Sequence, residues 1–544
     1  MPSVLAQLIR RGMQLAIASA VVSIAHAQPA APQAEVEVAR FDILEYRVLG
    51  NSVLARERVE RAVAPFLGEK RTIADVEAAR TALEKAYRDA GYGTVLVDTP
   101  EQRVAGGVVM LQVVEAPVTR LRVIGAKYYS QGRILEKVPA LAEGQVPNFN
   151  DVGTQLGSVN RTADRRVTPL LRPGKQPGTT EVDLQVDDSA PLHGSLELNN
   201  KHGPNTTSSR LVGSLRYDNL WQREHSLGLQ LQLSPQKTSE VRAISASYTV
   251  PVDSGMWVMS YVNSRSSTLI KANGLLVDGT GKIYGVRRMF FDVNERLMQS
   301  VTLSADYKDM LGITYQVDAD GRLVQTRGTC SAETVCTPIR YAPLGLSYSA
   351  TATRKNSSTQ AGVGLTLGLR ALANDESEFA VKRFGAQSNF MVLRLDLGRV
   401  QKLKSGAELS ARVDGLLGNQ PLISDEQFTV GGADSVRGYL ESAAAGDKGI
   451  RASLEARTRN LWVRKESPAH ELKAHAFLEG GGVWTKMPLV EQDRREGLLS
   501  TGVGLRLKAG RHASLSVDVA LPLRDGGGTD KGSTRVHASA TVEF

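Results

Sequence analysis

The chain is poor in cysteine. Its 544 residues hold two, Cys330 and Cys336, with no histidine beside them, which argues against a zinc site. Beyond the amino-terminal stretch no apolar run approaches the ~18 residues a spanning helix needs, so no α-helical anchor is expected. A Walker A sequence and a Gly-x-Ser-x-Gly elbow are both missing, and the eight histidines (26, 193, 202, 225, 470, 475, 512 and 537) are scattered. Catalysis needs convergent groups, so no enzymatic activity, metal or cofactor is expected. The 66 basic and 57 acidic residues nearly balance, at +9, and no basic run is interleaved with aromatics, which argues against a nucleic-acid partner.

What the chain has in quantity is glycine, 51 residues, more than the usual ~7%. With a mean hydropathy of −0.19, this suits a barrel whose polar residues face both water and a lumen. At the start, Arg10-Arg11, the apolar stretch Met13 to Ile24 and Ala25-His26-Ala27 read as a secretory signal peptide, residues 1–27, cleaved between Ala27 and Gln28. Residues 28–40, with Pro29 and Pro32, then form a short linker. In an exported protein Cys330 and Cys336, in a polar stretch, are expected to close a small disulfide loop.

Two regions follow with different periods. Residues 41–117 read β-α-α-β-β. An alternating strand Phe41 to Leu49 precedes a helix within Val53 to Leu67 and a second after Thr72, where Thr72 and Asp75 resemble a capping box. Strands near Thr94 to Val97 and Val108 to Val114 complete a small α+β module. Residues 118–190 repeat that order more loosely. From 191 to 544 the helical period disappears, and sixteen alternating segments run from Leu192 to Phe544, an even number as an antiparallel membrane barrel requires. The last has Val536, Ala538, Ala540, Val542 and Phe544 on one face, and its terminal aromatic favours a barrel over a soluble sandwich. Connections alternate in length. The long ones (Ser264–Thr280, Met310–Pro338, Ala371–Gln387, 418–447 and Thr485–Gly497) are assigned to the outer side and the short turns to the periplasm.

The sixth outer loop, 418–447, between segments eleven and twelve, carries the most informative stretch, Phe428-Thr-Val-Gly431-Gly432-Ala-Asp-Ser-Val436-Arg437-Gly438-Tyr439. Its glycines permit close chain approach, and Arg437 carries a permanent five-donor group that needs a partner out of bulk water. Phe477-Leu478-Glu479-Gly480-Gly481 places one acid in an apolar, glycine-rich strand, so Glu479 is the expected partner.

Two modules, sixteen strands and Val436-Arg437-Gly438-Tyr439 together resemble TpsB, the two-partner secretion transporters of ShlB/FhaC/HecB type, within the BamA-like superfamily. Pro173-Gly174, Leu196-Glu-Leu-Asn-Asn200, Asp218-Asn-Leu220 and Tyr248-Thr-Val-Pro251 add to the likeness. The resemblance implies an outer-membrane β-barrel of sixteen antiparallel strands preceded by two periplasmic POTRA domains, with loop 6 held in the lumen. It implies that Arg437 meets the acid of a Phe-x-Asp-x-Gly motif, which Phe477, Glu479 and Gly481 match with Glu in place of Asp. It also implies that Phe544 is a carboxy-terminal assembly signal, read by the barrel assembly machinery. The expected task is export, without ATP, of an unfolded TpsA-type haemolysin or adhesin bound by the POTRA domains, by a monomer set in outer-membrane lipid. The rival is an insertase of the same superfamily. A passive porin would leave the modules and the loop motif without a task.

Overall fold

The computed structural model describes residues 39–270, 275–316, 330, 334–373, 375–462, 470–490 and 492–544; the predicted cleavage site at Ala27 and Gln28 lies outside them. The chain divides into two compact units. One runs to Arg122 and includes Val138–Gly157 and Pro169–Asp183; the other is Val123–Lys137, Ser158–Thr168 and Leu184–Phe544.

In the first module the helix Ile73–Asp89 starts at Thr72, whose backbone N–H and hydroxyl both donate to Asp75 Oδ2 at 2.8 Å. These bonds, the backbone one foremost, hold the Asp75 carboxyl below its usual range. Val76, Ala79, Leu83 and Tyr87 recur at helical spacing and are buried with Val109, Leu111 and Val113 of the sheet. Leu83 is fully buried, so Leu83→Ala is expected to cost this module about 2–5 kcal/mol. Limited proteolysis of the full-length protein should then cleave the module at lower denaturant while the barrel stays intact.

The continuous strand predicted over Phe41–Leu49 is two strands. Leu44 and Glu45 both donate to Gly107 O, at 2.7 and 3.1 Å, and the chain changes partner there. Phe41–Ile43 pairs antiparallel with Gly68–Arg71, whereas Glu45–Leu49 runs parallel to Val108–Val114. The charged sequence Gly68-Glu-Lys-Arg71 gave no sign of a strand, because its pairing rather than its side chains makes it one. The second module has the strand order Val118–Ile124, Thr180–Asp188, Arg165–Pro173, with helices Gln131–Glu136 and Phe149–Val159.

Within the larger unit, Glu224 in the turn between two barrel strands accepts from Lys137 Nζ at 2.7 Å and Arg165 Nη2 at 2.6 Å. Burial opposes ionisation, but these two cations outweigh it and hold the carboxyl below its ordinary range. A depressed folded value stabilises the ionised form, so the contribution is present at neutral pH and lost as pH falls through and below the ordinary carboxylate range. Glu224→Gln should therefore be less stable than wild type at pH 7 and indistinguishable from it near pH 3 in chemical denaturation.

The barrel strands are β1 (Leu192–Asn199), β2 (Arg210–Leu220), β3 (His225–Leu233), β4 (Val241–Val252), β5 (Gly255–Ile270), β6 (Leu275–Val293), β7 (Leu297–Gln316), β8 (Val335–Tyr341 and Leu344–Arg354), β9 (Ser357–Leu367), β10 (Met391–Lys402), β11 (Glu408–Gly418), β12 (Lys448–Arg457), β13 (Glu471–Trp484), β14 (Arg495–Ala509), β15 (Ala513–Pro522) and β16 (Arg535–Glu543). Each pairs antiparallel with its neighbours, and β16 closes on β1 from Ser539↔Asn199 to Glu543↔Ser195, giving a closed sixteen-strand barrel. Phe544 extends the seam: its N–H donates to Gly194 O at 3.0 Å and its carbonyl accepts from Gly194 N at 2.9 Å. Any side chain at 194 would enter the Phe544 ring.

Three predicted connections differ. β5 runs to Ile270 and β6 starts at Leu275, while β7 extends to Gln316, so most of Ser264–Thr280 and the beginning of Met310–Pro338 are strand. Their ladders continue past the expected apolar band because pairing needs only main-chain groups. β8 is broken at Ala342-Pro343, where the missing proline N–H removes a ladder donor, and only its second half pairs with β9. Ala371–Gln387 contains the helix Glu376–Lys382, capped by Asp375 accepting from Ser377 N at 2.9 Å. Its Phe379 is buried with Tyr341, Phe390, Val392 and Leu416, which face the lumen.

Candidate functional site

Loop 6 forms a short hairpin, Phe428–Val430 paired with Ala444–Gly446, packed on the inner faces of β12 and β13. Gly449 and Gly481 make room for it. A Cβ on Gly481 would lie 2.9 Å from Val430 Cγ1, and one on Gly449 would enter the Phe428 ring. At the tip Gly431 and Gly432 take φ of 104° and 108°. A side chain on Gly431 would meet Ala443 Cβ and Leu440 O, both at 2.7 Å, so these positions exclude other residues on conformation and on space. Val436 and Tyr439 are fully buried.

Arg437, 4% exposed, lies over the Phe477 ring at 3.4 Å. Glu479 Oε2 accepts from Arg437 N at 2.8 Å and Nε at 3.1 Å, and Oε1 accepts from Nη2 at 2.6 Å. Glutamate in place of aspartate thus reaches both side and backbone donors of Arg437. Ser453 Oγ donates to the same Oε1 at 3.0 Å.

The remaining arginine donors use residues that the sequence reading did not single out. Nη2 donates to Glu455 Oε2 at 2.8 Å, and Nη1 to Asp518 Oδ1 at 3.3 Å. His475 Nε2 lies 2.5 Å from that Asp518 oxygen, and Gly438 N donates to His537 Nε2 at 2.9 Å. The imidazole nitrogen of His537 facing the loop is therefore unprotonated. Tyr439 Oη donates to Arg524 O at 2.6 Å, tying the tip to the end of β15. Alternation could have found part of this, since His475, Phe477, Glu479 and Gly481 share one face of β13. Glu455 and Asp518 lie on other strands, and only strand pairing and register bring them to Arg437.

The base of the loop has a second buried hub. Asp447, fully buried, accepts from Arg383 Nη1 and Nη2 at 2.9 and 2.8 Å. It also accepts from Leu422 N at 2.8 Å and Lys486 N at 2.7 Å. One carboxylate thereby fastens the loop containing the helix Glu376–Lys382, loop 6 and the β13–β14 connection together. Cys330 and Cys336 form a disulfide.

The arrangement is mechanical: a hairpin and its tip are held inside a barrel by a buried arginine surrounded by carboxylates. Such a fastening can hold a conduit in one state and release it.

Comparison with known proteins gives the same outline. Residues 41–116 match the family model described as POTRA domain, ShlB-type. Residues 178–289 and 338–507, more than half of the chain, match that of haemolysin secretion/activation protein ShlB/FhaC/HecB. The outer membrane transporter CdiB of Escherichia coli O6:K15:H31 (strain 536 / UPEC) is 29% identical over 179 residues, 33% of this chain and 30% of that protein. CdiB of Dickeya dadantii (strain 3937) is 26% identical over 230 residues, 42% and 40% of the two chains. These alignments span less than half of either relative. Among solved structures, CdiB from Escherichia coli superposes with a TM-score of 0.65 at 20% identity, covering 97% of this chain and 94% of that one. BamA from Haemophilus ducreyi lacking POTRA domains 1–3 gives 0.56 at 13% identity, covering 93% and 100%. At these identities the superpositions speak to the fold.

Proposed function

We propose a route of protein export for this chain, which belongs to the ShlB/FhaC/HecB family of haemolysin secretion/activation proteins and is an outer-membrane β-barrel with periplasmic POTRA domains. The exported partner is a large unfolded exoprotein, a TpsA-type haemolysin or adhesin, that passes from the periplasm through the barrel. The observation that carries this reading is loop 6, fastened in the lumen through Arg437 to Glu479, Glu455 and Asp518. A passive pore has no need of a buried arginine held by three strands.

Capture begins on the POTRA modules. In the second, Val118–Ile124 and Arg165–Pro173 are the outer strands of a three-stranded sheet. An extended segment can add to such an edge through main-chain hydrogen bonds, which give affinity with little demand on sequence. The partner then displaces the loop tip, threads the lumen and folds outside. Folding opposes its return, so export draws on binding and folding free energy and needs no ATP. The protein acts as a transporter and not as a catalyst, and works as a monomer in outer-membrane lipid after the barrel assembly machinery, reading Phe544, has inserted it.

The deciding experiment compares the culture medium and the outer-membrane protein profile of cells with and without the protein. Loss of one large secreted protein with an intact profile is the expected result. A general fall in barrel proteins would overturn it in favour of an insertase.

A further inference from the structure

The outer face of the barrel beside loop 6 carries an ordered pattern that export through the lumen does not use. Side chains of register partners point to the same face. Leu417 pairs with Lys448, Lys448 with Trp484, and Trp484 with Arg495, so two cations flank an indole across four strands at the rim. This rim carries the long loops and is opposite the end at which the chain enters the barrel.

The row just below is almost without side chains. Gly415 pairs with Ile450, Ile450 with Gly482, and Gly482 with Gly497. The Trp484 ring lies against Gly482 and the Arg524 guanidinium against Gly497, so the trough left open on the lipid side is at Gly415, bounded by Leu395 and Leu417, each about half exposed. The β13–β14 hairpin borders it through Thr485 to Pro488 and Arg494, giving a cavity of about 940 Å³ lined by Leu395, Gly415, Leu417 and Ile450 with Lys448, Lys486 and Arg494. Among the described residues none of these three cations forms an ion pair. Lys486 Nζ donates only to Asn419 O, at 2.5 Å. Burial, and then the neighbouring Lys448 ammonium, hold Lys486 below the ordinary lysine range, against the smaller opposing pull of the Asp447 carboxylate.

We propose that this groove binds a phosphorylated, multiply acylated glycolipid of the outer leaflet, of the lipid A class. Its phosphates meet Lys448, Lys486 and Arg494, and an acyl chain lies in the trough at Gly415 beside Ile450. Charge complementarity selects this occupant. A neutral lipid leaves three cations unpaired, and a soluble anion leaves the apolar trough empty. Met487, Leu489 and Val490, all exposed on the hairpin, add apolar surface at the same depth. Because Lys486 N donates to Asp447, the lipid site adjoins the carboxylate that fastens the base of loop 6.

The test uses the purified full-length protein in detergent, with binding read by native mass spectrometry. The probes are lipid A with two phosphates, the same lipid without phosphates, and inorganic phosphate as competitor. Wild type is expected to prefer the diphosphorylated lipid by about tenfold or more. Lys448→Gln/Lys486→Gln/Arg494→Gln should lose that preference, and Lys448→Arg/Lys486→Arg should keep it. Gly415→Leu leaves every cation in place and fills the trough, and should weaken binding of the same lipid. Folding of each variant is checked by the heat-dependent shift of the barrel in electrophoresis. Equal binding of the two lipids by wild type, displacement by phosphate alone, or unchanged binding by either folded loss variant overturns the proposal.

Discussion

Arg437→Ala is expected to abolish appearance of the partner in the medium while the barrel remains in the outer membrane at its normal level. The substitution leaves Glu479, Glu455 and Asp518, all nearly buried, without the cation they share. Removing one partner of a buried charge pair typically costs about 3–5 kcal/mol. Here that cost falls on the seating of the loop, because the strands bearing the three acids keep their main-chain ladders. Arg437→Lys keeps the charge but not the fork that reaches three carboxylates, so it should restore secretion only in part. Secreted partner and heat-modifiable barrel, quantified from the same cultures, give the measurement. Unchanged secretion by Arg437→Ala would show that the fastening is not used.

Asp447→Ala should have the opposite character, a conduit that leaks. The fully buried Asp447 carboxylate receives two guanidinium donors of Arg383 and the N–H groups of Leu422 and Lys486. Its removal strands a largely buried cation and two backbone donors, again about 3–5 kcal/mol. The penalty is spread over three connections at the outer mouth, so loop 6 should lose its anchor at the base while its tip remains on Glu479. Larger single-channel conductance in planar bilayers and greater sensitivity to bulky antibiotics are the expected results. Wild-type conductance would mean that the tip alone closes the pore. With Arg437→Ala the two variants separate tip from base.

The amino-acid sequence by itself determined the architecture. Alternation with a period of two runs through sixteen segments, and the helical period read from the sequence stops before 191, missing only the short loop α-helix Glu376–Lys382 among the described residues. Such patterns are local, because each strand must present one face to lipid whatever its neighbours are. Loop length and the Arg-Gly and Gly-Gly steps are local too, which is why Arg437 and Glu479 could be paired before any coordinates. The division of Phe41–Leu49 between two sheets was not legible, nor was the strand Gly68–Arg71, since both depend on which partner the backbone meets. Strand pairing and register decided the rest. They bring Glu455, His475, Asp518 and His537 from four strands around one guanidinium, and align Gly415, Gly482 and Gly497 beneath a cationic row on the other face. Hydrogen-bond register couples residues far apart in the chain, and that coupling exists only once the strands have paired.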